Sequence, residues 1–268
     1  MASTVKKGFE SISFDTRQLI SKRYHTITRA VNKEFWNSTS EVDHSLYVGS
    51  YGRGTAIDTS DIDILLELPK EDYNRYDLAK GNGQSRLLQA VKDAIISAYP
   101  KSDIHADGQV VVINFSDGIK FEVLPAFKSI WFGYQYPDTN MGGNWKTTNP
   151  KAEQDAMREK NSSSNGLLFD TCKHIRRIHS EHCKSYHLSG IVIDSFVYNA
   201  IGGWHWLNPS EEPGSGSISY EEALLNYYNN NSFNGIIPVS LSAPGSNQNI
   251  DTKSSMECLG KVLKYMVD

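Results

Sequence analysis

Apolar positions along this chain shift from a helical period to a strand period and back, and those shifts outline its elements. Between residues 5 and 37, Phe9, Ile12, Leu19, Ile20, Tyr24, Ile27, Val31 and Phe35 recur at largely helical intervals. The pattern predicts one long or two short amphipathic helices that brace whatever follows. From about 45 to 132, short apolar runs alternate with helical patterns. They predict a strand at 46–48, a glycine loop with a short helix, a strand from Asp61, a helix near 84–99, and a hairpin. In that hairpin, Asp117-Gly118 joins the apolar run 110–115 to a second strand. Residues 134–145, rich in Gly, Asn, Asp and Pro, predict a crossing to a second region. Beyond it the periods are helical at 151–160 and 167–179, strongly apolar at 191–206, and helical again near 219–229 and 252–267. Gly214-Ser-Gly-Ser reads as a flexible loop within this region.

The chemistry concentrates in one stretch, Gly-Ser-Tyr-Gly-Arg-Gly-Thr-Ala-Ile-Asp-Thr-Ser-Asp-Ile-Asp, residues 49–63. Asp61 and Asp63 are two apart at the start of a strand, so their carboxylates share one face while Ile62 and Ile64 turn to the other, into the core. Such a pair suits shared divalent cations. Gly49 and Ser50 offer main-chain amides and a hydroxyl without bulk, where a triphosphate can approach the backbone. A third acidic ligand is expected from a neighbouring strand, and Glu122 in Asp-Gly-Ile-Lys-Phe-Glu-Val-Leu-Pro-Ala-Phe is the candidate. Three carboxylates on adjacent strands hold two Mg²⁺ ions about 3.5–4 Å apart in enzymes that displace pyrophosphate in line. Taken singly, a glycine loop, an Asp-x-Asp pair or a strand carboxylate is commonplace. Together, in this order, they point to nucleotidyl transfer.

At these residues the chain resembles the polymerase-β-like nucleotidyltransferases. More narrowly, it resembles the cGAS/DncV-like enzymes that make cyclic oligonucleotide signals in bacterial anti-phage defence. Arg-Tyr-His-Thr-Ile-Thr-Arg-Ala-Val-Asn (23–32) resembles that family's amino-terminal helix, and Asp-Gly-Gln-Val-Val-Val-Ile-Asn-Phe (107–115) the strand before the third carboxylate. Trp-Lys-Thr-Thr-Asn-Pro-Lys (145–151) resembles the start of its carboxy-terminal half. Many relatives have Asp where Glu122 stands; Glu keeps the charge and reaches one methylene further.

The resemblance implies an α+β fold: a polymerase-β-like core with a mixed sheet and a helical C-terminal lobe, the active site in the cleft between them. The expected divisions are bracing helices at 1–40, the catalytic core at 41–135 and the helical lobe at 136–268. It also implies Asp61, Asp63 and Glu122 as catalytic metal ligands for two Mg²⁺ ions, with Mn²⁺ as an alternative. Gly49 and Ser50 are implied as nucleotide-binding. Lys173, Arg176 and Arg177, at i, i+3 and i+4, read either as cations clustered on one helical side or as an ordinary solvated face. The resemblance assigns contact with the β and γ phosphates to Arg176, then Lys173, and places Ser189 near the triphosphate. Tyr134, Tyr136, Trp145 and Tyr186 are aromatic side chains able to stack on a base or to serve structure alone.

Composition narrows the partners. The net charge of −4 provides no basic field for long nucleic acid. Three cysteines, an odd number without a Cys-x-x-Cys pair, argue against a disulfide framework. No apolar run is long enough to span a bilayer and no signal core precedes the first helix, so a soluble, cytoplasmic enzyme is expected. Its expected partners are ribonucleoside triphosphates and an effector that senses the cyclic product. Two other readings stay open: transfer of a nucleotide to an RNA, protein or small-molecule acceptor, and a catalytically idle nucleotide binder.

Overall fold

Helix α1 (Phe14–Phe35) begins where Ser13 accepts a hydrogen bond from the Thr16 amide, which satisfies one of the orphan donors of the first turn. It is one helix rather than two, and it buries Ile20, Tyr24, Ile27 and Val31, the stripe expected from its period. The computed structural model describes residues 4–8, 11–212 and 218–268. Phe9 and the Gly214-Ser-Gly-Ser loop therefore lie outside the described residues. The chain forms two compact units that interleave in sequence. One comprises Ile12–Gly52 and Ser60–Pro150, the other Met1–Ser11, Arg53–Thr59 and Lys151–Asp268.

The first unit is built on a mixed sheet. Its strands are β1 (Ser45–Tyr47), β2 (Ile62–Glu67), β3 (Asp103–Asp107), β4 (Val110–Asn114), β5 (Lys120–Lys128), β6 (Tyr134–Asp138) and β7 (Asn144–Thr148). The central order is β1-β2-β5-β4-β3, and β6 joins the far half of β5 and carries β7. β2 and β5 pair in parallel, which the sequence permits because α3 (Lys70–Asp77), α4 (Gly83–Ala98) and the β3–β4 hairpin separate the two strands. The expected Asp117-Gly118 turn closes β4 onto β5, with the Gly118 amide donating to the Phe115 carbonyl. β2 runs Ile-Asp-Ile-Leu-Leu-Glu and buries Ile62, Ile64, Leu65 and Leu66, as a central strand covered by α1 should. α4 contributes Leu87, Leu88, Val91 and Ile95 and packs on α1.

One expectation fails here. Residues 134–145, read from sequence as a turn-rich crossing, supply β6 and the first two residues of β7. The connection is a 3₁₀ turn at Asn140–Gly142 with Gly143 at φ +100°, while Pro137, Asp138 and Asn144 sit within the strands themselves. Across it, Tyr134 and Pro137 of β6 pair with Thr148 and Trp145 of β7.

The second unit is mainly helical: α5 (Pro150–Ser163), α6 (Leu167–His182), α7 (Gly190–Ala200), α8 (Tyr220–Ser232) and α9 (Met256–Val267), with a small ribbon of β8 (Leu241–Ser242) and β9 (Asn249–Ile250). Leu168, Ile175, Phe196, Val197, Leu224, Leu259 and Leu263 form its fully buried centre. α8 carries a full capping box between Ser219 and Glu222, which fixes its start. α7 stops at Ala200, before the apolar segment 191–206 ends, because Gly202 and Gly203 follow. Cys172, Cys183 and Cys258 are buried thiols without disulfides.

Candidate active site

β2 and β5 lie side by side in parallel, with Asp63 opposite Glu122 and Ile62 opposite Phe121. One step earlier on the same face, Asp61 precedes β2 and Lys120 begins β5. Strand alternation sends residues 61 and 63, and 120 and 122, to one side of the sheet; Ile62, Ile64 and Phe121 go to the other and are buried. Three carboxylates and one ammonium thus occupy adjoining positions on two neighbouring strands. Lys120 Nζ donates to Asp61 Oδ2 at 2.9 Å and to Glu122 Oε1 at 2.6 Å. Like charges facing each other across a strand pair repel, and the lysine offsets that repulsion. Partial burial pulls the Lys120 ammonium toward neutrality, but its bonds to Glu122 and Asp61 win and hold it above the ordinary lysine value. The side chains of Asp61, Lys120 and Glu122 are 46, 33 and 29% exposed, open enough for an ion or substrate to reach them.

The loop before β2 lies directly against these carboxylates. The Val48 amide donates to the Asp63 carbonyl and extends the β1–β2 pairing by one residue. Gly49 then turns at φ +57° into a four-residue helical turn, α2 (Gly49–Gly52). A β-carbon on Gly49 would land on the Asp63 carboxylate, so only glycine fits in both conformation and space. Ser50 follows, half-buried. The sequence pairing of a small-residue loop with two aspartates therefore corresponds to real proximity: Gly49 is pressed onto Asp63.

Among the described residues, no three His, Cys, Asp or Glu side chains are gathered closely enough to hold a metal ion. Asp61 and Glu122 converge on the Lys120 ammonium instead. Their chemistry suits a hard divalent cation, since oxygens from two carboxylates already meet at one positive centre and Asp63 stands next to Glu122 in register.

The expected cationic face on α6 is not one face. Arg176 is 6% exposed, and its guanidinium donates to Asp194 Oδ1 at 2.7 Å and to the Gly190 carbonyl at 3.0 Å. Asp194 is wholly buried and also accepts from Arg53 Nε at 2.8 Å and Thr55 Oγ1 at 3.0 Å. Arg53 Nη1 donates to Glu153 Oε2 at 3.1 Å. Arg176 is thus part of a buried ion-pair network centred on Asp194. Arg177, adjacent on α6, pairs with Asp58 at 3.2 Å. Lys173 is half-buried. Ser189 precedes α7 as its N-cap, and its amide donates to Ser255 Oγ.

Of the aromatic residues, Tyr134 is core, packed with Val48, Leu65 and Ala126. Trp145 leans on Tyr73 and Phe127 and donates to Asp77. Tyr186 lies under the Lys261 ammonium. Sequence reasoning missed Lys120, Arg53 and Asp194. Lys120 had a signal, because it stands two before Glu122 and so shares its strand face. Asp194 had none, since an aspartate inside an apolar helix shows its partners only in three dimensions.

Residues 3–161 match the description of the Second Messenger Oligonucleotide or Dinucleotide Synthetase domain. A probable cyclic nucleotide synthase of Bacillus cereus (strain VD146) is 25% identical over 236 residues, covering 78% of this chain and 69% of that protein. The fold is similar to that of the CdnE cyclic dinucleotide synthase of Elizabethkingia meningoseptica, solved with GTP and Apcpp, with a TM-score of 0.63 at 16% identity over 95% of this chain and 93% of that one. It is also similar to the Rhodothermus marinus CdnE c-UMP-AMP synthase, solved with Apcpp and Upnpp, with a TM-score of 0.61 at 15% identity over 97 and 92% of the two chains.

Proposed function

This chain belongs to the Second Messenger Oligonucleotide or Dinucleotide Synthetase family and is a nucleotidyltransferase; from that premise we propose that Asp61, Asp63 and Glu122 are the centre at which it joins ribonucleoside triphosphates into a cyclic di- or oligonucleotide. The observation that supports this centre is the parallel β2–β5 register, which sets the three carboxylates on one face beside the Gly49 turn.

Asp61, Asp63 and Glu122 would hold Mg²⁺, two ions by family resemblance, with Mn²⁺ as a substitute. Such ions, when bound, lower the pKa of an acceptor hydroxyl and offset charge on departing pyrophosphate. The chain's own contribution is positional. Gly49 brings the loop backbone onto Asp63, and Gly49 and Ser50 present amides and a hydroxyl to the donor triphosphate. β2 and β5 are central strands, so the carboxylates they carry do not drift as charge moves. In the reaction an acceptor hydroxyl oxygen, losing its proton to solvent, bonds to the α-phosphorus, the bond to the bridging oxygen breaks, and pyrophosphate leaves with the electron pair. A second transfer within the linear product closes the ring. In-line geometry and charge neutralisation are the main requirements of phosphoryl transfer.

Lys173 and Ser189 are retained as phosphate contacts on resemblance. The proposed compartment is the cytoplasm, where ribonucleoside triphosphates are abundant, and the proposed partner is an effector of anti-phage defence that senses the product. Among the described residues no helix is long and apolar enough to cross a membrane.

Incubation of the purified protein with ATP, GTP, CTP and UTP, singly and mixed, in Mg²⁺ tests the reading. Phosphatase-resistant products with the mass of cyclic oligonucleotides are expected. A product that keeps a terminal triphosphate, or a nucleotide attached to an added RNA or protein, would overturn it.

A further inference from the structure

Lys120 has no part in the reaction as described, yet its ammonium stands where two of the three site carboxylates converge. Its position is set twice over. Strand alternation puts it on the Glu122 face of β5, and the parallel register puts it beside Asp61. Both contacts are short, 2.6 Å to Glu122 and 2.9 Å to Asp61, and both use carboxylate oxygens that a divalent cation would need. An ammonium at hydrogen-bond distance and a Mg²⁺ bonded at about 2.1 Å cannot share the same oxygens at no cost. Their like charges, a few ångströms apart, repel.

We infer that Lys120 is a resident counter-cation of the site: it holds Asp61 and Glu122 together while no metal is bound, and it competes with the divalent cation for those carboxylates. The inference rests on the reading of Asp61, Asp63 and Glu122 as the metal-binding set. Two consequences follow. Without metal, the lysine prevents three neighbouring carboxylates from splaying the strand ends apart. With metal, it must release at least one carboxylate, so it lowers metal affinity and sets the cation level at which the site fills. Lysine suits that exchange, because its flexible stem lets the ammonium withdraw without moving the strand.

The test uses the full chain with Mn²⁺ alone and no nucleotide, following binding by calorimetry and by the paramagnetic resonance of the ion, with metal-free thermal melts alongside. Lys120→Met and Lys120→Gln remove the charge; Lys120→Arg keeps it. Both neutral variants should melt lower than the native protein in the absence of metal and bind Mn²⁺ about 3- to 30-fold more tightly, the range expected for losing two partly exposed ion pairs. Lys120→Arg should bind within about threefold of the native protein, having kept the competing charge. Neutral variants that bind Mn²⁺ no more tightly than the native protein would overturn the proposal. So would a neutral variant that is unfolded without metal and remains so with it, since Lys120 would then brace the strand rather than compete for ligands. Asp61→Asn/Asp63→Asn separates the two levels. If that variant binds Mn²⁺ as the native protein does, the site reading fails and takes this inference with it. If it loses the metal while Lys120→Met behaves as native, only the role of Lys120 fails.

Discussion

Asp63 is constrained from two sides: Glu122 flanks it on β5, and Gly49 presses on it from the loop. Replacing Asp61 and Asp63 together by Asn keeps shape and removes charge. Nucleotide incorporation should then fall by about 10³-fold or more, the order seen when a group that offsets transition-state charge is lost, while circular dichroism stays native. Glu122→Gln should lose activity comparably, and Glu122→Asp should retain part of it because only reach is shortened. Full activity in Glu122→Gln would reduce that residue to a strand carboxylate. Gly49→Ala makes a different demand. It forces a β-carbon into positive φ and onto a carboxylate, so a stability loss of about 1–3 kcal/mol is expected in urea titrations, together with loss of turnover.

Among the elements, α6 and α7 illustrate how a buried charge network differs from a binding face. Arg176 and Arg53 flank Asp194 inside the helical unit, and removing the shared anion leaves two guanidinium groups without it. Asp194→Asn should therefore cost about 3–5 kcal/mol of unfolding free energy at neutral pH. Burial pushes the Asp194 carboxyl up, but the charges of Arg176 and Arg53 outweigh it and hold it below the ordinary value of 3.8. A carboxylate depressed in this way contributes stability that is complete above its unfolded value and is lost as pH falls through its lower folded value. The gap between native protein and variant should thus be widest above about pH 4 and close below it, as denaturation curves across pH 2–7 would show. Glu153 has the opposite sign. Burial, the largest influence, raises its carboxyl despite Arg53, so its contribution weakens as pH rises through that range.

At the scale of the whole molecule, the path of the chain matters as much as its elements. Residues 53–59 leave the sheet unit and join the helical one before β2 begins, and they carry Arg53 and Thr55 to Asp194. A fragment of residues 151–268 alone would lack them, leaving Glu153 without Arg53 and Asp194 without Arg53 and Thr55. Such a fragment should melt broadly, or at least 10 °C below the helical transition of the full chain, a shift of the size that a few kcal/mol produces in a domain of this length. A sharp native-like melt would show that the inserted segment is dispensable. The sequence by itself determined the α+β class, the family, the amphipathic stripe that becomes α1, α4 and the Glu122 hairpin, and the pairing of the Gly49 loop with Asp61 and Asp63. These depend on local periods and on residues close in the chain, where spacing dictates direction. Only the tertiary structure decided that β6 and β7 extend the sheet, that Lys120 closes on Asp61, and that Arg176 points inward to Asp194. In each case the deciding partner lies elsewhere in the chain: Lys120 is beside Asp61 only because β2 and β5 pair in parallel, and a helix reads the same in sequence whether a cation on it meets water or a buried carboxylate.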